Sequence, residues 1–324
     1  MTEQANAELS IQELKLLLVY ASKAATAAAR YIQSFDRSAL QVQDKVGGDS
    51  LASQVVTQVD IACEQLIKLH LQPSCEQWQI ALLGEESADE YGHAQHPRLT
   101  RDYFWCIDPL DGTLPFIEGG AGYAVSIALV SKLGQPLLGV VAHPSSNNLY
   151  QGVVCGSEHL LYKNGLPWQP KGIGGSQVHN LFPATEQDHS QPILSCFFDR
   201  SFVQQANFKI LMSRLEQQVQ LLGYSAIDIA HDAGAVMNAI QVLEHPSACY
   251  FKLPKTHPGG GSLWDFAATA AITSAADGWV SDIYGAPLDL NRCDSTFMNH
   301  RGVLYATDSR IAEMIMAIAN RGQL

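Results

Sequence analysis

The alternation of apolar and polar positions along the 324-residue chain divides it into stretches of helical and of strand period. Residues 10–34 carry Leu14, Leu17 and Leu18 and then an Ala-rich run at helical spacing. They follow a Ser10-x-x-Glu13 pair in which each side chain can satisfy the other's backbone N–H, so a helix is expected there. After the polar loop DKVGGDS, residues 60–71 read as a second helix, opened by Asp60 where a carboxylate could cap free N–H groups. QIALLG at 79–84 reads as a strand running into the acidic GEES at 84–87. YFWCID at 103–108 reads as another, stopped at Pro109 because proline donates no ladder hydrogen bond. Residues 123–142 have the pattern of two buried strands joined through a turn at 132–136.

Beyond Gly152 the pattern weakens. A Gly-, Pro- and polar-rich stretch at 171–192 suggests a connection between two subdomains, 1–170 and 171–324. In the second half, helical patterns cover 201–219 and 225–241, followed by the strand-like ACYFKLP, a Gly-rich loop and an Ala-rich helix over 264–276. Strands and helices alternate without an internal repeat or low-complexity tail, which implies a layered α/β architecture.

Composition narrows the function. Lys and Arg total 20 against 32 Asp and Glu, a net charge of −12, so the surface repels polyanions and a nucleic-acid polymer is not the expected partner. No stretch approaches the ~20 apolar residues of a membrane span, and the polar start MTEQANAELS does not read as a signal peptide. A soluble, cytoplasmic protein with no membrane partner is the expectation. The seven cysteines are scattered with no CxxC pair, as in a reduced compartment.

The candidate chemistry lies in IDPLDGT, where Asp108 and Asp111 stand three residues apart at the end of a buried-looking strand. Two carboxylates converging there repel unless a cation or shared proton compensates. An oxygen-only ligand set favours Mg²⁺, Mn²⁺ or Ca²⁺ over zinc. DPLDG can also be a simple turn. Glu85-Glu86 at another strand end and Trp264-Asp265 at a helix start add carboxylates, although an acidic pair also suits a solvated loop and an N-terminal Asp also suits a cap.

Taken in order, Thr57-x-x-Asp60, Gly84-Glu85-Glu86, Asp108-Pro-Leu-Asp111-Gly-Thr113 and Trp264-Asp265-x-Ala-Ala268 resemble the signature of the inositol monophosphatase superfamily, supported by DGWVSDIYGAPLDL at 277–290. The resemblance covers nearly the whole chain. It implies a layered αβαβα sandwich of the inositol monophosphatase and fructose-1,6-bisphosphatase type, and a metal-dependent phosphatase with two or three Mg²⁺ ions. It implies that Glu85, Asp108 and the Leu110 carbonyl hold one metal and Asp108, Asp111 and Asp265 a second. It further implies that Thr113, hydrogen-bonded to Asp60, orients the attacking water, and that Gly112 and Thr113 offer N–H groups to the phosphate. A helix beginning around 223–225 would add Ser225, which could equally be a plain cap. Lithium sensitivity and a homodimer are further implications.

Substrate choice rests outside the signature. No acidic residue occurs from Tyr250 to Trp264, where inositol monophosphatases carry a glutamate, and Lys252 and Lys255 stand there instead. YFKLP is similar to the YxRLP of 3'(2'),5'-bisphosphate nucleotidases, which makes adenosine 3',5'-bisphosphate the expected small-molecule substrate. An inositol or sugar phosphate is the alternative, and a non-catalytic phosphate sensor a further one. Ile227, Tyr224 and the stretches 241–248 and 259–261 depart from the nucleotidase pattern.

Overall fold

Residues 8–35, 51–88, 95–173 and 192–321 are described by a computed structural model, without the side chains of 51–57. The Thr57 side chain, the DKVGGDS loop and most of the 171–192 stretch lie outside the described residues. Two helices, α1 (Ile11–Ser34) and α2 (Leu51–Trp78), cover one face of a seven-stranded sheet. Its strands follow chain order: β1 (Ala81–Gly84), β2 (Tyr103–Asp111), β3 (Ala124–Ser131), β4 (Pro136–His143), β5 (Asn148–Cys155), β6 (Glu158–Lys163) and β7 (Leu166–Pro167). One-turn helix α3 (Thr113–Ile117) follows β2. The second sheet contains β8 (Ile193–Phe197), β9 (Ala226–Ala230), β10 (Ala248–Lys252), β11 (Trp279–Ser281) and β12 (Val303–Ala306), ordered β11-β12-β10-β8-β9. Short α4 (Arg200–Val203) follows β8. The helices α6 (Ala235–Glu244) and α7 (Leu263–Ala275) pack between the sheets, while α5 (Phe208–Leu221) and α8 (Ser309–Arg321) cover the outer face of the second. The result is an αβαβα sandwich.

Local chemistry accounts for this arrangement. Ser10 and Glu13 form the expected capping box, with the Ser10 N–H donating to Glu13 Oε2 at 2.9 Å. In β2, Trp105 and Ile107 point into the α1/α2 layer and Phe104 and Cys106 into the central layer, the two-sided burial that produces a continuous apolar run. The Ala-rich α7 lies directly on β3, β4 and β5 because the sheet is small-sided there. A Cβ on Gly139 would sit 2.1 Å from the Ala268 carbonyl oxygen, and one on Gly152 would sit 2.6 Å from the Ile272 Cα. Ser126 on β3 donates its hydroxyl to the Trp264 carbonyl, fixing the first turn of α7 to the sheet. The helix that carries Asp265 is therefore seated on the sheet that carries Asp108.

Several expectations change. The strand over 103–108 does not stop at Pro109. It continues to Asp111, with a register shift between Asp108 and Asp111 that accommodates the proline. The helix expected from 60 begins at Leu51, so Asp60 is a mid-helix residue and caps nothing. The pattern at 201–219 divides into α4 and α5, and that at 225–241 into strand β9 and helix α6. No disulfide links the seven cysteines. Among the described residues, no helix is long and apolar enough to cross a membrane.

Candidate metal centre

Three carboxylates meet where both sheets end. Asp108 and Asp111 sit on either side of the β2 register shift, and Asp265 is the third residue of α7. One oxygen from each lies within 4.8 Å of the other two. The Leu110 N–H donates to Asp108 Oδ1 at 3.0 Å, folding the Pro109-Leu110 bulge around the carboxylate. Asp265 accepts the Ser262 N–H at Oδ2, 2.8 Å away, and Ser262 returns the capping contact. The two readings of Asp265, helix cap and ligand candidate, thus coexist in one side chain.

Asp111 is held differently. The N–H groups of Ala235 and Val236 donate to its two oxygens at 3.2 and 2.9 Å, so a carboxylate from the first sheet caps α6, whose own N-cap is Gly234. Glycine is required at this junction. A Cβ on Gly234 would lie 2.4 Å from Asp111 Oδ2 and 2.7 Å from Gly112 Cα. Gly112, left-handed at φ 82°, abuts the Gly122 carbonyl, which in turn accepts the Gly234 N–H at 2.8 Å.

Electrostatics set the character of the site. Burial, followed by Glu85, Asp111 and Asp265, pushes the Asp108 carboxyl well above the ordinary range. Burial and then Asp265 do the same to Asp111, against the Val236 N–H and Lys252. Burial also raises Asp265, although Lys252 and the hydrogen bonds to Asp108 and Ser262 oppose it. Glu85 follows β1 on a solvent-reaching residue, yet its carboxyl turns toward the cluster. Loss of solvent, then Asp265, Asp60 and Glu86, pushes it to about 8. Asp60 is buried on α2 and pushed to about 7 by burial, Glu86 and Glu64. Crowded carboxylates with raised pKa values form a strained, cation-seeking set. The donors are all oxygen, which fits a hard divalent ion and not zinc.

Other expected residues fall into place unevenly. Thr113 opens α3, so its hydroxyl lies over the carbonyl three residues back. It donates to Leu110 O at 3.4 Å and not to Asp60. Ser225 does not begin a helix. It precedes β9 and its N–H donates to the Pro192 carbonyl at 3.0 Å, because 226–230 pairs with β8 as a parallel strand. The helix N-terminus beside the carboxylates is instead that of α6. The sequence signal for it is the apolar run AVMNAIQVL, since its N-cap, Gly234, carries no side chain. Lys252, at the end of β10, lies 2.7 Å from Asp199 Oδ2 and over the Phe266 ring. Asp199, which no sequence pattern singled out, also accepts the Tyr250 hydroxyl at 3.0 Å.

Comparison with known proteins points to one family. A sequence model described as the inositol monophosphatase family matches residues 13–323. The chain is 26% identical over 241 residues to a 3'(2'),5'-bisphosphate nucleotidase 1 of Candida albicans, a match covering 71% of this chain and 63% of that relative. The chain thus spans less than two thirds of that relative's length. It is 26% identical over 292 residues to inositol-1-monophosphatase ImpA of Mycolicibacterium smegmatis, covering 86% of each. A solved inositol monophosphatase from Anabaena superposes with a TM-score of 0.64 at 20% identity, over 95% of this chain and 96% of that one, a likeness of fold.

Proposed function

Because the chain belongs to the inositol monophosphatase family, we propose that it is a Mg²⁺-dependent hydrolase of a small phosphate monoester. The observation that carries this reading is the convergence of Asp108, Asp111 and Asp265 within 4.8 Å in buried surroundings. Asp108, Asp111, Asp265 and Glu85, with the Leu110 carbonyl, would hold two or three ions. Bound there, the metal supplies a water of lowered pKa and neutralises charge on the departing alkoxide. The chain's own contribution is positioning. Gly112 and Thr113 would present N–H groups to the phosphate beside the α6 N-terminus, and Asp60, buried on α2 beside this acidic group, would help handle the attacking water's proton.

Two alcohols compete for the substrate. Lys252 and Lys255 line one pocket together with Phe202, which supports adenosine 3',5'-bisphosphate, whose second phosphate would meet a cation. The pairing of Lys252 with Asp199 supports the other reading, an inositol or sugar phosphate, since the pair is neutral and Asp199 can accept substrate hydroxyl groups. Phosphate release with Mg²⁺, measured for adenosine 3',5'-bisphosphate, inositol 1-phosphate and a panel of sugar phosphates, tests both. Faster turnover of the bisphosphate selects the first reading and faster inositol 1-phosphate turnover the second. No release from any substrate would remove the enzymatic reading and leave a phosphate sensor.

A further inference from the structure

Arg98 lies in a single 3-10 turn, Pro97–Leu99, between β1 and β2, and is only 1% exposed. Among the described residues it forms no ion pair, Asp289 acting on it only from beyond ion-pair distance, and its Nε has no hydrogen-bond partner. A buried cation without a counter-ion is destabilising by itself, so its contacts point to a different role. Its Nη1 donates to Asn291 Oδ1 and its Nη2 to the Arg292 carbonyl at 2.7 Å. Asn291 returns a hydrogen bond from Nδ2 to the Arg98 carbonyl at 3.3 Å and donates another to the Lys132 carbonyl at 2.8 Å. The link joins residues 193 positions apart in the chain.

The segment gripped by Arg98 leads directly to a metal-site carboxylate. Its Thr296 carbonyl accepts the Leu263 N–H at 2.9 Å, the Met298 N–H donates to the Gly261 carbonyl at 3.0 Å, and Phe297 bridges to Ser262. Ser262 caps α7 and donates its N–H to Asp265 Oδ2. On the other side, the 3-10 turn sits against β1, which leads into Glu85, and directly precedes β2, which carries Asp108 and Asp111. We propose that Arg98 is a positioning residue for the metal centre: it clamps residues 291–298 to the β1–β2 end of the first sheet and so sets Asp265 against Asp108 and Asp111. The inference rests on the reading of those carboxylates as a divalent-cation site.

Mg²⁺ demands near-ideal octahedral geometry, whereas Ca²⁺ tolerates irregular oxygen sets. A residue that sets ligand geometry therefore affects Mg²⁺ more than Ca²⁺, while one that only supports the fold does not change their ratio. The test is calorimetric titration of Mg²⁺ and of Ca²⁺ into the wild type, Arg98→Lys, Asn291→Ala and the double variant, with thermal melts alongside. Arg101→Gln, in which an exposed guanidinium just after that turn loses its contact with Gln79, serves as control. Each single variant is expected to weaken Mg²⁺ about tenfold, the usual scale for residues that orient ligands. Ca²⁺ should weaken by less than about threefold, the double variant should fall short of the product of the two, and the control should match the wild type. Equal losses for both ions, or lower melting temperatures with unchanged Mg²⁺ affinity, would overturn the assignment. If Arg98→Lys fails to fold, Asn291→Ala decides. A wild type that binds neither ion would instead remove the metal reading, and this inference with it, an outcome distinct from a wild type that binds and variants that bind equally well.

Discussion

Two charged groups lie side by side in this molecule and are arranged in opposite ways. At Asp108, Asp111 and Asp265, like charges are packed within 4.8 Å with burial raising all three, and a bound cation or retained protons must relieve them. At Asp199 and Lys252, opposite charges meet at 2.7 Å and the Tyr250 hydroxyl completes the set, so the group is satisfied by the chain itself. The unsatisfied group is where chemistry is expected, and the satisfied one is where a substrate must compete with an existing contact. On the proposed function, reaction type and substrate choice would rest on different residues. This is consistent with relatives that share a family yet include a nucleotidase and an inositol phosphatase.

The comparison can be broken from either side. The largest effect is expected from Asp108→Asn, which removes a fully buried carboxylate raised by Glu85, Asp111 and Asp265 together. Phosphate release should fall by at least about 10³-fold, while the metal-free protein should melt no lower than the wild type, because a repulsion has been removed; a steady-state assay and a melt in chelator check the two halves. Next is Gly234→Ala. Its Cβ would press on Asp111 Oδ2 and on Gly112, so the α6 N-terminus must move, with a loss of stability of about 1–3 kcal/mol and a further loss of turnover. A denaturant melt compared with the kinetics at saturating Mg²⁺ would show both.

The crowding also has a pH signature. Glu85 and Asp60 hold their protons to about 8 and about 7 in the folded, metal-free chain, whereas in the unfolded chain they release them near the ordinary 4.5 and 3.8. Through that window the folded state binds more protons than the unfolded state. The contribution of these two groups to stability in chelator should therefore be full below about pH 4 and be lost as pH rises to about 8, while buried His96, lowered to about 4, contributes in the opposite sense at the acid end of that window. Saturating Mg²⁺ should flatten the decline, because the ion takes the place of the protons. Melting temperatures across pH with and without Mg²⁺ read this directly, and identical profiles would contradict it.

The smallest effect belongs to the satisfied pair. Asp199→Asn should leave Lys252 unneutralised and shift relative turnover toward adenosine 3',5'-bisphosphate over inositol 1-phosphate by about tenfold, the scale of one charge contact. A ratio that stays constant would place selectivity elsewhere.

The sequence made the unsatisfied group readable and concealed the satisfied one for physical reasons. Asp108 and Asp111 follow an apolar run and flank a proline, and Asp265 opens an Ala-rich helix, so each stands at a place the local pattern already marks. The Ser10–Glu13 cap was legible because its partners are three residues apart. Asp199 was not, since its partners Tyr250 and Lys252 come from β10, about 50 residues away. The α6 N-terminus was misplaced to Ser225 because AIDIA, a strand by pairing, is as rich in Ala and Ile as a helix, and the true N-cap, Gly234, has no side chain to signal it. Asp60 looked like a cap because the preceding turns of α2, LASQVVTQV, are rich in β-branched residues and do not announce a helix. Among the strands beyond Gly152, β6, β7 and β9 are half-exposed or exposed and so carry a weaker apolar signal than β2 or β3.

The most direct test of the account is calorimetric titration of Mg²⁺ into the wild type and into Asp108→Asn. The crowded carboxylates predict saturable binding to the wild type and none to the variant at the same concentrations. A wild type that takes up no Mg²⁺, or a variant that binds it equally well, would contradict the claim that these three carboxylates form a metal centre.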